Sequence, residues 1–415
     1  MSLGFESLGL VSLGLPYGAS RDEYNLNVWP FRPNWKAGLT ESIEWRTDVL
    51  RAHDGSEQRR AVRARPRRTF EFDLLLANGE AEWLEMLLWR MHGEEFALPV
   101  WTDKMPLSVV PQAGQQILYG DTTGLQFIEG GYALIFQSTT TWEIVQVSAV
   151  ASGSVALAQT IVGDFMPWAV LYPLVFAEIA DTVQLTRVTD QALTGRALFR
   201  VVGGDTDPAI APAETYQGVE VYLTKPDWSS GISHEFSRAF HMADAEVGPW
   251  VRRAKEKSSS VVRGFGWLLH DRAAITAFRA FSHRRRGQHA PVWIPSWHDD
   301  LRLAADAAAG SLELLLAGTE YTRYFGTTPD DRSHLMIRLA DGSRVYRQVL
   351  NATFAEIGGA SKVTLDTALV DAIAVEDVVA IHIIQQFRLA TDKIEIPWVT
   401  NQVARPSTNF RSLIT

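Results

Sequence analysis

Arginine is the residue whose clustering in this sequence points most directly to chemistry. The segment RRAVRARPRR places six guanidinium groups within ten residues. Such a cluster can displace counterions from phosphates and so contact a nucleic-acid backbone. The net charge of −9 for the whole chain instead favours an exposed strand face or a subunit contact paired with carboxylates. Arg59 and Arg60 recur further along, as Arg252 and Arg253, so we assign these two to a structural or assembly contact.

Histidine supplies the second set of candidate ligands. His283, His289 and His298 follow one another closely, but their spacing matches no standard arrangement of metal ligands. The arginines that follow His283 fall in the last turn of a predicted helix, where cations complement the helix dipole. We therefore predict no bound metal.

Sequence motifs typical of catalysis are missing from the chain. It has no Walker lysine loop, no GxGxxG after a strand, no HExxH and no GxSxG elbow. It also has no cysteine, which removes thiolate nucleophiles and cysteine-bound zinc. A pair of carboxylates distant in the chain, as in glycosidases, stays open as an alternative. The sequence predicts a protein that is not an enzyme and holds no cofactor.

Length and composition are those of a well-packed globular protein. The 415 residues exceed what one hydrophobic core usually serves, so two domains are expected. With 46% hydrophobic and 21% charged residues, most of the chain should fold. No apolar run of 18 residues occurs, which predicts a soluble protein made in the cytoplasm and without a membrane partner.

One segment of the chain occurs twice, 193 positions apart. PNWKAGL begins at Pro33 and PDWSSGI begins at Pro226. From Leu26 and Val219 onward, 53 residue pairs align without a gap and 12 of them are identical, where about three would be expected by chance. We interpret the chain as a tandem duplication.

Each copy is predicted to combine strands with one helix. NGEAEWLEMLLWRMHG has apolar residues at helical spacing, with Asn78 as its cap and Gly93 as its end, and DRAAITAFRAFSHRRRG repeats this pattern. A Pro-Val-Trp segment follows each helix, from Pro99 and from Pro291. Alternating β-branched segments separated by Gly, Asp and Ser predict antiparallel strands. The predicted fold is mainly β (α+β), with two copies of a β-sandwich or barrel and one helix packed on each.

Composition divides the chain into five segments. A Gly- and Pro-rich stretch of small polar residues predicts an exposed linker between the copies, and we assign no structure to the last residues. The predicted segments are an N-terminal arm at 1–23, a first β-rich repeat at 24–202, a linker at 203–217, a second β-rich repeat at 218–398 and a C-terminal tail at 399–415.

Apolar residues of the arm and non-recurring tryptophans are the other candidates for partner contacts. The arm repeats Ser-Leu-Gly with a period of five, which suits neither a helix nor a strand. Its leucines expose too much apolar surface to stay in solvent, so we expect Leu3, Leu8 and Leu13 to lie on a neighbouring domain or subunit. The tryptophans without a recognised counterpart in the other copy are Trp83, Trp89, Trp250 and Trp297.

The first copy resembles a known family of phage proteins. The segments NVWPFRPNWKAGLTESIEWRTDVL and GSEQRRAVRARPRRTFEF, with the helix that ends near LPVWTD, resemble the distal-tail and tail-tip (baseplate) adaptor proteins of long, flexible-tailed bacteriophages. The resemblance is clearest at the start of the first copy and extends through the duplication to most of the chain. It implies strand-rich domains related to the tail tube, a ring around the DNA channel and a structural role, and it transfers no catalytic or binding residue.

The resemblance implies a virion protein with defined partners. We expect a homo-oligomeric ring at the tail tip that contacts tube, hub and fibre proteins, with DNA passing through its lumen without specific binding. A trimer would present six similar units and match both a sixfold tube and a threefold fibre, and a hexamer is the other arrangement. The modest negative charge suits a channel in which DNA slides.

Two other classes of function stay open at this level. One is a tandem carbohydrate- or receptor-binding tail protein whose non-recurring tryptophans stack on host sugars. The other is a tail-associated glycan or peptidoglycan hydrolase with carboxylates that spacing does not reveal.

Overall fold

The computed structural model describes residues 20–21, 26–244, 246–256, 259–325, 332–355 and 359–413. Within these residues the chain is built mainly of antiparallel β-sheet with few helices, which confirms the predicted mainly β class. Almost all of the predicted N-terminal arm, with Leu3, Leu8 and Leu13, lies outside the described residues.

The first unit contains fourteen described strands and one helix. Its elements are β1 Ser20–Arg21, β2 Leu39–Glu44, β3 Thr47–Arg51, β4 Glu57–Ala61, β5 Arg67–Ala77, α1 Gly79–Met91, β6 Glu95–Pro99, β7 Met105–Pro106, β8 Ile117–Tyr119, β9 Tyr132–Ser138, β10 Thr141–Ala151, β11 Ser154–Leu157, β12 Val170–Ile179, β13 Gln184–Arg187 and β14 Ala192–Val201.

The second unit, with the short strand pair that precedes it, follows a similar order and adds a six-residue helix that the prediction of one helix in each copy did not include. Its elements are β15 Thr215–Tyr216, β16 Val219–Glu220, β17 Ser233–Ser237, β18 Phe240–Ala243, β19 Val251–Ala254, β20 Ser260–Gly266, α2 Arg272–Arg285, β21 Val292–Pro295, β22 Glu313–Ala317, α3 Glu320–Phe325, β23 His334–Leu339, β24 Arg344–Phe354, β25 Ala360–Leu365, β26 Val378–Leu389, β27 Lys393–Trp398 and β28 Ser407–Ser412, with 3-10 turns at Trp228–Ser230 and Val375–Asp377.

The two units share one plan of strand pairing. Ten pairings of the first unit have a counterpart in the second. In the first unit they are β2–β5, β3–β4, β5–β14, β6–β12, β8–β11, β9–β10, β9–β12, β10–β11, β12–β14 and β13–β14. In the second unit they are, in the same order, β17–β20, β18–β19, β20–β28, β21–β26, β22–β25, β23–β24, β23–β26, β24–β25, β26–β28 and β27–β28. An origin by duplication stays a prediction from the sequence.

The repeated sequence phrase forms the same turn in both units. The backbone N–H of Lys36 donates to Oδ1 of Asn34 at 3.2 Å, and that of Ser229 donates to Oδ1 of Asp227 at 2.9 Å. Such short polar side chains reproduce a backbone turn. The glycines that follow, Gly38 in the first unit and its counterpart in the second, have φ of 82° and 72°, a conformation that favours glycine. The phrase therefore directs the chain into β2 and β17.

Each core is built from alternating strands and one helix stripe. Along β5 the side chains of Phe70, Phe72, Leu74 and Leu76 point inward while their neighbours are more exposed, as strand alternation requires. The N-terminus of α2 is capped as predicted, because Asp271 accepts from the N–H of Ala274. The predicted cap of α1 is not made, since Asn78 has φ of 53° and its side chain accepts no cap hydrogen bond.

The strand register corrects one part of the sequence alignment. The sequence predicts that the two Pro-Val-Trp segments, from Pro99 and Pro291, are equivalent to each other. In the structure Val28 forms a parallel bridge with Ala97, whereas the valine 193 positions later forms the same bridge with Trp293. Ala97 therefore corresponds to Trp293, and the predicted alignment of the two segments was wrong by four residues.

The correct counterpart of LPVWTD is IPSWHD, so Trp101 corresponds to Trp297. The prediction that Trp297 belongs to one unit only is therefore wrong. Trp101 is buried in the first unit, and Trp297 is half-buried against the same shared core with φ of 59°. Periodicity could not reveal this, because both proline segments have the composition of a strand end.

Two segments predicted to be peripheral are part of the fold. The C-terminal tail contributes β28, which pairs with β20 and β26 and buries Phe410 completely. The linker contains a buried carboxylate, Asp205, and ends in the short strand β15. Assigning no structure to the tail was wrong, and the linker is exposed only in part.

The two units are joined by a continuous sheet. Strand β27 contacts its own unit's β28 at one residue pair, Glu395 and Ser407, but pairs with β2 of the first unit from Leu39 opposite Trp398 to Glu44 opposite Lys393. One hydrophobic core runs across this joint, and two smaller cores lie under β8–β11 in the first unit and β22–β25 in the second. The predicted two domains therefore share their main core.

Candidate functional site

The joint between the units is the site where buried charged groups converge. Helix α2 turns Ile275, Phe278 and Phe281 into the shared core. Its other side carries Arg279 and His283, which are also buried because the first unit covers them. A helix that is covered on two sides can bury charges only when each has a partner.

Asp205 is the centre of this network. Its Oδ1 atom lies 2.6 Å from Nη2 of Arg279 and 3.5 Å from Nη1 of Arg68, and its Oδ2 atom lies 2.9 Å from Nε2 of His283. Burial alone raises the pKa of Asp205, but the two guanidinium groups and the His283 contact outweigh it, so the pKa lies well below its usual range. Asp205 is therefore a carboxylate at neutral pH.

Glu41 is the second acid of the network and is fully buried on β2. Its Oε1 atom accepts from Nε of Arg68 at 2.8 Å and lies 3.5 Å from Nε of Arg279. Its Oε2 atom accepts from the indole N–H of Trp398 on β27 at 3.1 Å. Both carboxylates are thus shared between the units, and Asp205 also lines an open cleft beside the joint.

Two further contacts fasten the edges of the joint. Asp392, in the turn before β27, accepts from the backbone N–H of Thr47 at 2.8 Å and of Gln288 at 2.9 Å. Asp103 accepts from Arg272 at the start of α2 at 2.6 Å. Each pairs a residue of the first unit with one of the second, so the ends of α2 are held from both sides.

The hairpin of β3 and β4, here called the first arm, extends over the second unit. Arg51 donates to Glu256 at 2.8 Å, and Arg388 on β26 donates to both carboxylate oxygens of Glu57 at 2.6 and 3.0 Å. Bidentate pairs of this kind are geometrically specific. The arm therefore fixes the orientation of one unit on the other.

An open cleft of about 650 Å³ lies beside the network. Its lining includes Arg65, Arg284, Arg286 and His289. Arg284 is already bound to Glu220 through two hydrogen bonds, of 2.9 and 2.6 Å. The cleft is the outer end of the joint, and Asp205 and His283 of the network also line it.

The three histidines that were weighed as metal ligands are not gathered at one site. His283 contacts Asp205, while His298 lies against Trp228 and His234 on another part of the second unit. Among the residues that the structure describes, no group of three or more His, Asp or Glu side chains is arranged to hold a metal ion.

The other predicted contact residues are scattered over the first and second units. Arg60 is exposed and Arg59 is half-buried beside Glu57, which places both on the first arm. Trp83 packs edge-on against Phe31. Two of the predicted tryptophans are solvent-exposed, 91% for Trp89 on α1 and 57% for Trp250 beside β19.

Sequence reasoning missed the residues that form the joint. Asp205 stands in a stretch of glycine, proline and small polar residues that is typical of exposed loops. Glu41 lies on β2, where its neighbours Ser42 and Ile43 are also buried, so strand alternation does not predict that the Glu41 side chain is buried. The available signal was the run of basic residues in α2, whose burial demands nearby acids.

Comparisons with known proteins add no family. A scan against protein-family models and a search of curated proteins each found no match for this chain. Among the described residues, every helix is too short or too polar to cross a bilayer.

Proposed function

We propose that this protein is a structural subunit of the tail-tip ring of a long, flexible-tailed bacteriophage. In that position it joins the tail tube to hub or fibre proteins around the DNA channel. The resemblance of its first unit to distal-tail adaptor proteins is the starting point, and a non-enzymatic role follows from it.

The observation that carries the proposal is the joint between the units. Two units with one pairing plan are fused edge to edge, from Leu39 opposite Trp398 to Glu44 opposite Lys393. Buried ion pairs such as Asp205 with Arg279 hold their relative orientation. A chain in which two similar units repeat a side-by-side contact is suited to build an annulus from three or six copies.

The charge of the chain suits this role. With a net charge of −9 the ring would not retain DNA by general attraction, because non-specific binding needs a positive surface. Arginines of the basic segment are partly used in ion pairs, as for Arg68 with Glu41. We therefore assign them to assembly and not to DNA binding.

The experiment that tests the proposal locates the protein in the virion. An antibody raised against the purified chain is applied to phage particles that encode it and viewed by electron microscopy. Label at the tip of the tail is expected. Label along the tail shaft, on the capsid or nowhere on the particle contradicts a tail-tip role. Class averages of the purified protein then separate threefold from sixfold rings.

A carbohydrate-binding role is the second candidate because Trp89 is exposed over 91% of its surface. An exposed indole can stack on a sugar ring. Binding of the purified protein to a glycan array, lost in Trp89→Ala, supports this alternative. Absence of any bound glycan supports the structural role.

A further inference from the structure

Each unit has two sheet edges, which we name by their position at the joint. The front edges are β2 in the first unit and β17 in the second. The back edges are β13 in the first unit and β27 in the second. Within one chain, the front edge of the first unit pairs with the back edge of the second. Within the described residues, β17 pairs only with β20 and β13 only with β14, so one front edge and one back edge are unused.

The unused front edge exposes one large apolar side chain among polar ones. All five residues of β17 are exposed, and Phe236 is exposed over 61% of its surface. Its counterpart on the used front edge is Ile43, which is fully buried. An exposed strand edge with a large apolar side chain is a template for pairing with another strand.

The unused back edge has a defined register. Gln184 pairs with Arg196 on β14, and Glu395 pairs with Ser407 on β28. Arg196 lies three residues before Phe199, which is opposite Phe70 on β5, and Ser407 lies three residues before Phe410, which is opposite Arg263 on β20. Phe70 and Arg263 are equivalent positions, because they lie 193 residues apart. Gln184 therefore occupies the position of Glu395.

Helix α1 presents an uncovered face beside this back edge. Leu87 on α1 and Phe281 on α2 both enter the shared core, and two residues later stand Trp89 and His283. His283 is buried, and its ring packs edge-on against that of Trp45 in the first unit, with 5.7 Å between the ring centroids. Trp89 stands at the same position with nearly all of its surface exposed.

The charged pair of the used joint is not repeated at the equivalent positions of the unused edges. At the used joint Glu41 of the front edge lies 3.5 Å from Arg279 of the helix. By the same correspondence the unused front edge carries His234, whose pKa is lowered by partial burial and by Arg263, and the unused helix carries Glu85. Glu85 already pairs with Arg187 of the back edge at 2.8 Å, so the match between the unused edges depends on strand pairing and apolar burial.

The hairpin of β18 and β19, here called the second arm, meets the first arm where the rings of His241 and His53 lie 5.2 Å apart, and its described strands are otherwise largely exposed. The first arm is held by Glu256 and Arg388 of the second unit. The second arm is exposed along both strands, and its large exposed apolar residues are Met242, Val247, Trp250 and Val251. Apolar side chains grouped in this way mark an interaction surface.

We propose that the partner of these surfaces is a second copy of this chain, bound head to tail. Strand β17 of one copy pairs antiparallel with β13 of the next, with Glu235 opposite Gln184 and Ser233 opposite Thr186. The second arm lies over the first unit of the next copy, and Trp89 of that unit is covered. The inference deepens the proposed function and rests on it for closure into a ring, whereas the contact between two copies depends only on these edges.

A second copy fits these surfaces better than an unrelated protein. Front and back are different surfaces, so their pairing is heterologous and propagates until it closes. The used joint already shows a front edge, a back edge, a helix face and an arm assembled together. The unused set has the same four parts and is divided between the two ends of one chain.

Paired cysteines test the contact, since the natural chain has none. One preparation carries Glu235→Cys and another carries Gln184→Cys, both at exposed positions. Directly opposite residues of an antiparallel pair lie within disulfide range. Mixing the two under mild oxidation is expected to give a reducible dimer that neither preparation forms alone. A dimer from either preparation alone, or none from the mixture, overturns the proposed register.

The used joint provides the matched control. Ser42→Cys with Glu395→Cys in one chain is expected to form an internal disulfide without any dimer, because Ser42 is opposite Glu395 in the same molecule. Trp89→Glu and Phe236→Glu supply a second readout that needs no cross-link. Each is expected to raise the dissociation constant for self-association at least about tenfold in sedimentation. Unchanged self-association in both overturns the contact.

The outcomes separate this inference from the proposed function. Antibody label at the tail tip without the cross-linked dimer refutes the contact and leaves the function. A cross-linked dimer without label on the virion refutes the function and supports the contact.

Discussion

Asp205 and Arg279 form an ion pair of 2.6 Å between the segment that links the units and the helix of the second unit. Both side chains are buried, and Glu41 and Arg68 of the first unit complete the network. The joint of this protein is therefore electrostatic at its centre and apolar around it. Buried charges in partnership oppose sliding of the two units, because any shift leaves a charge without its partner.

Replacing Asp205 tests this network. Asp205→Asn removes the negative charge that lies 2.6 Å from Arg279 and leaves Glu41, at 3.5 Å, as the nearest buried acid of that guanidinium group. We expect a loss of about 3–5 kcal/mol in the free energy of unfolding, measured by urea denaturation. The control is Asp207→Asn, since Asp207 is exposed and its amide can still accept from Ala209. Equal stability of the two variants would contradict the role of Asp205.

The same network predicts how stability depends on pH. The pKa of Asp205 is depressed in the folded protein, so the unfolded chain takes up a proton at a higher pH than the folded one. Its stabilisation is complete above the unfolded pKa of about 4 and is lost as the pH falls further. The difference in unfolding free energy between the natural chain and Asp205→Asn should shrink below about pH 4. A difference that grows on acidification would show that the sign is wrong.

Alanine at two equivalent glycines, Gly93 and Gly287, should lower the free energy of unfolding by different amounts. Gly93 and Gly287 both follow a helix with positive φ, so alanine at either costs about 1–2 kcal/mol of backbone strain. A Cβ at Gly287 would also meet Asp392 and lie 2.9 Å from Cβ of Trp45, whereas nothing lies within 4 Å at Gly93. Gly287→Ala should therefore cost at least about 1 kcal/mol more than Gly93→Ala in thermal unfolding. Equal costs would mean that the joint has room at this point.

The C-terminal strand gives a prediction about the second unit. Phe410 is fully buried between β20 and β26, so Phe410→Ala should cost about 3–5 kcal/mol. Asn409→Ala, at the exposed neighbour on the same strand, should stay within about 0.5 kcal/mol. Chemical denaturation of both variants provides the measurement. An unchanged unfolding free energy in Phe410→Ala would indicate that packing of β28 contributes little to the stability of the second unit.

Local patterns in the sequence determined the mainly β class, the two longer helices α1 and α2 and the repeated turn, but not the short helix α3. Alternation in β5 and the helical spacing of Ile275, Phe278 and Phe281 arise within about ten residues, where chain geometry alone decides which side chains share a face. The turn phrase at Pro33 and Pro226 is equally local. These features needed no knowledge of distant partners.

Tertiary structure determined how the two units pair and pack against each other. Strand β27 pairs with β2 of the first unit, so Trp398 reaches Glu41 across 357 positions. Asp205 is buried although its neighbours read as an exposed linker, and Trp101 matches Trp297 and not Trp293. A strand carries the same alternation whichever edge it joins, and a carboxylate has the same local sequence whether water or arginine surrounds it. Only contacts between residues far apart in the chain lower the free energy of one pairing below the others, and those contacts exist only in the folded protein.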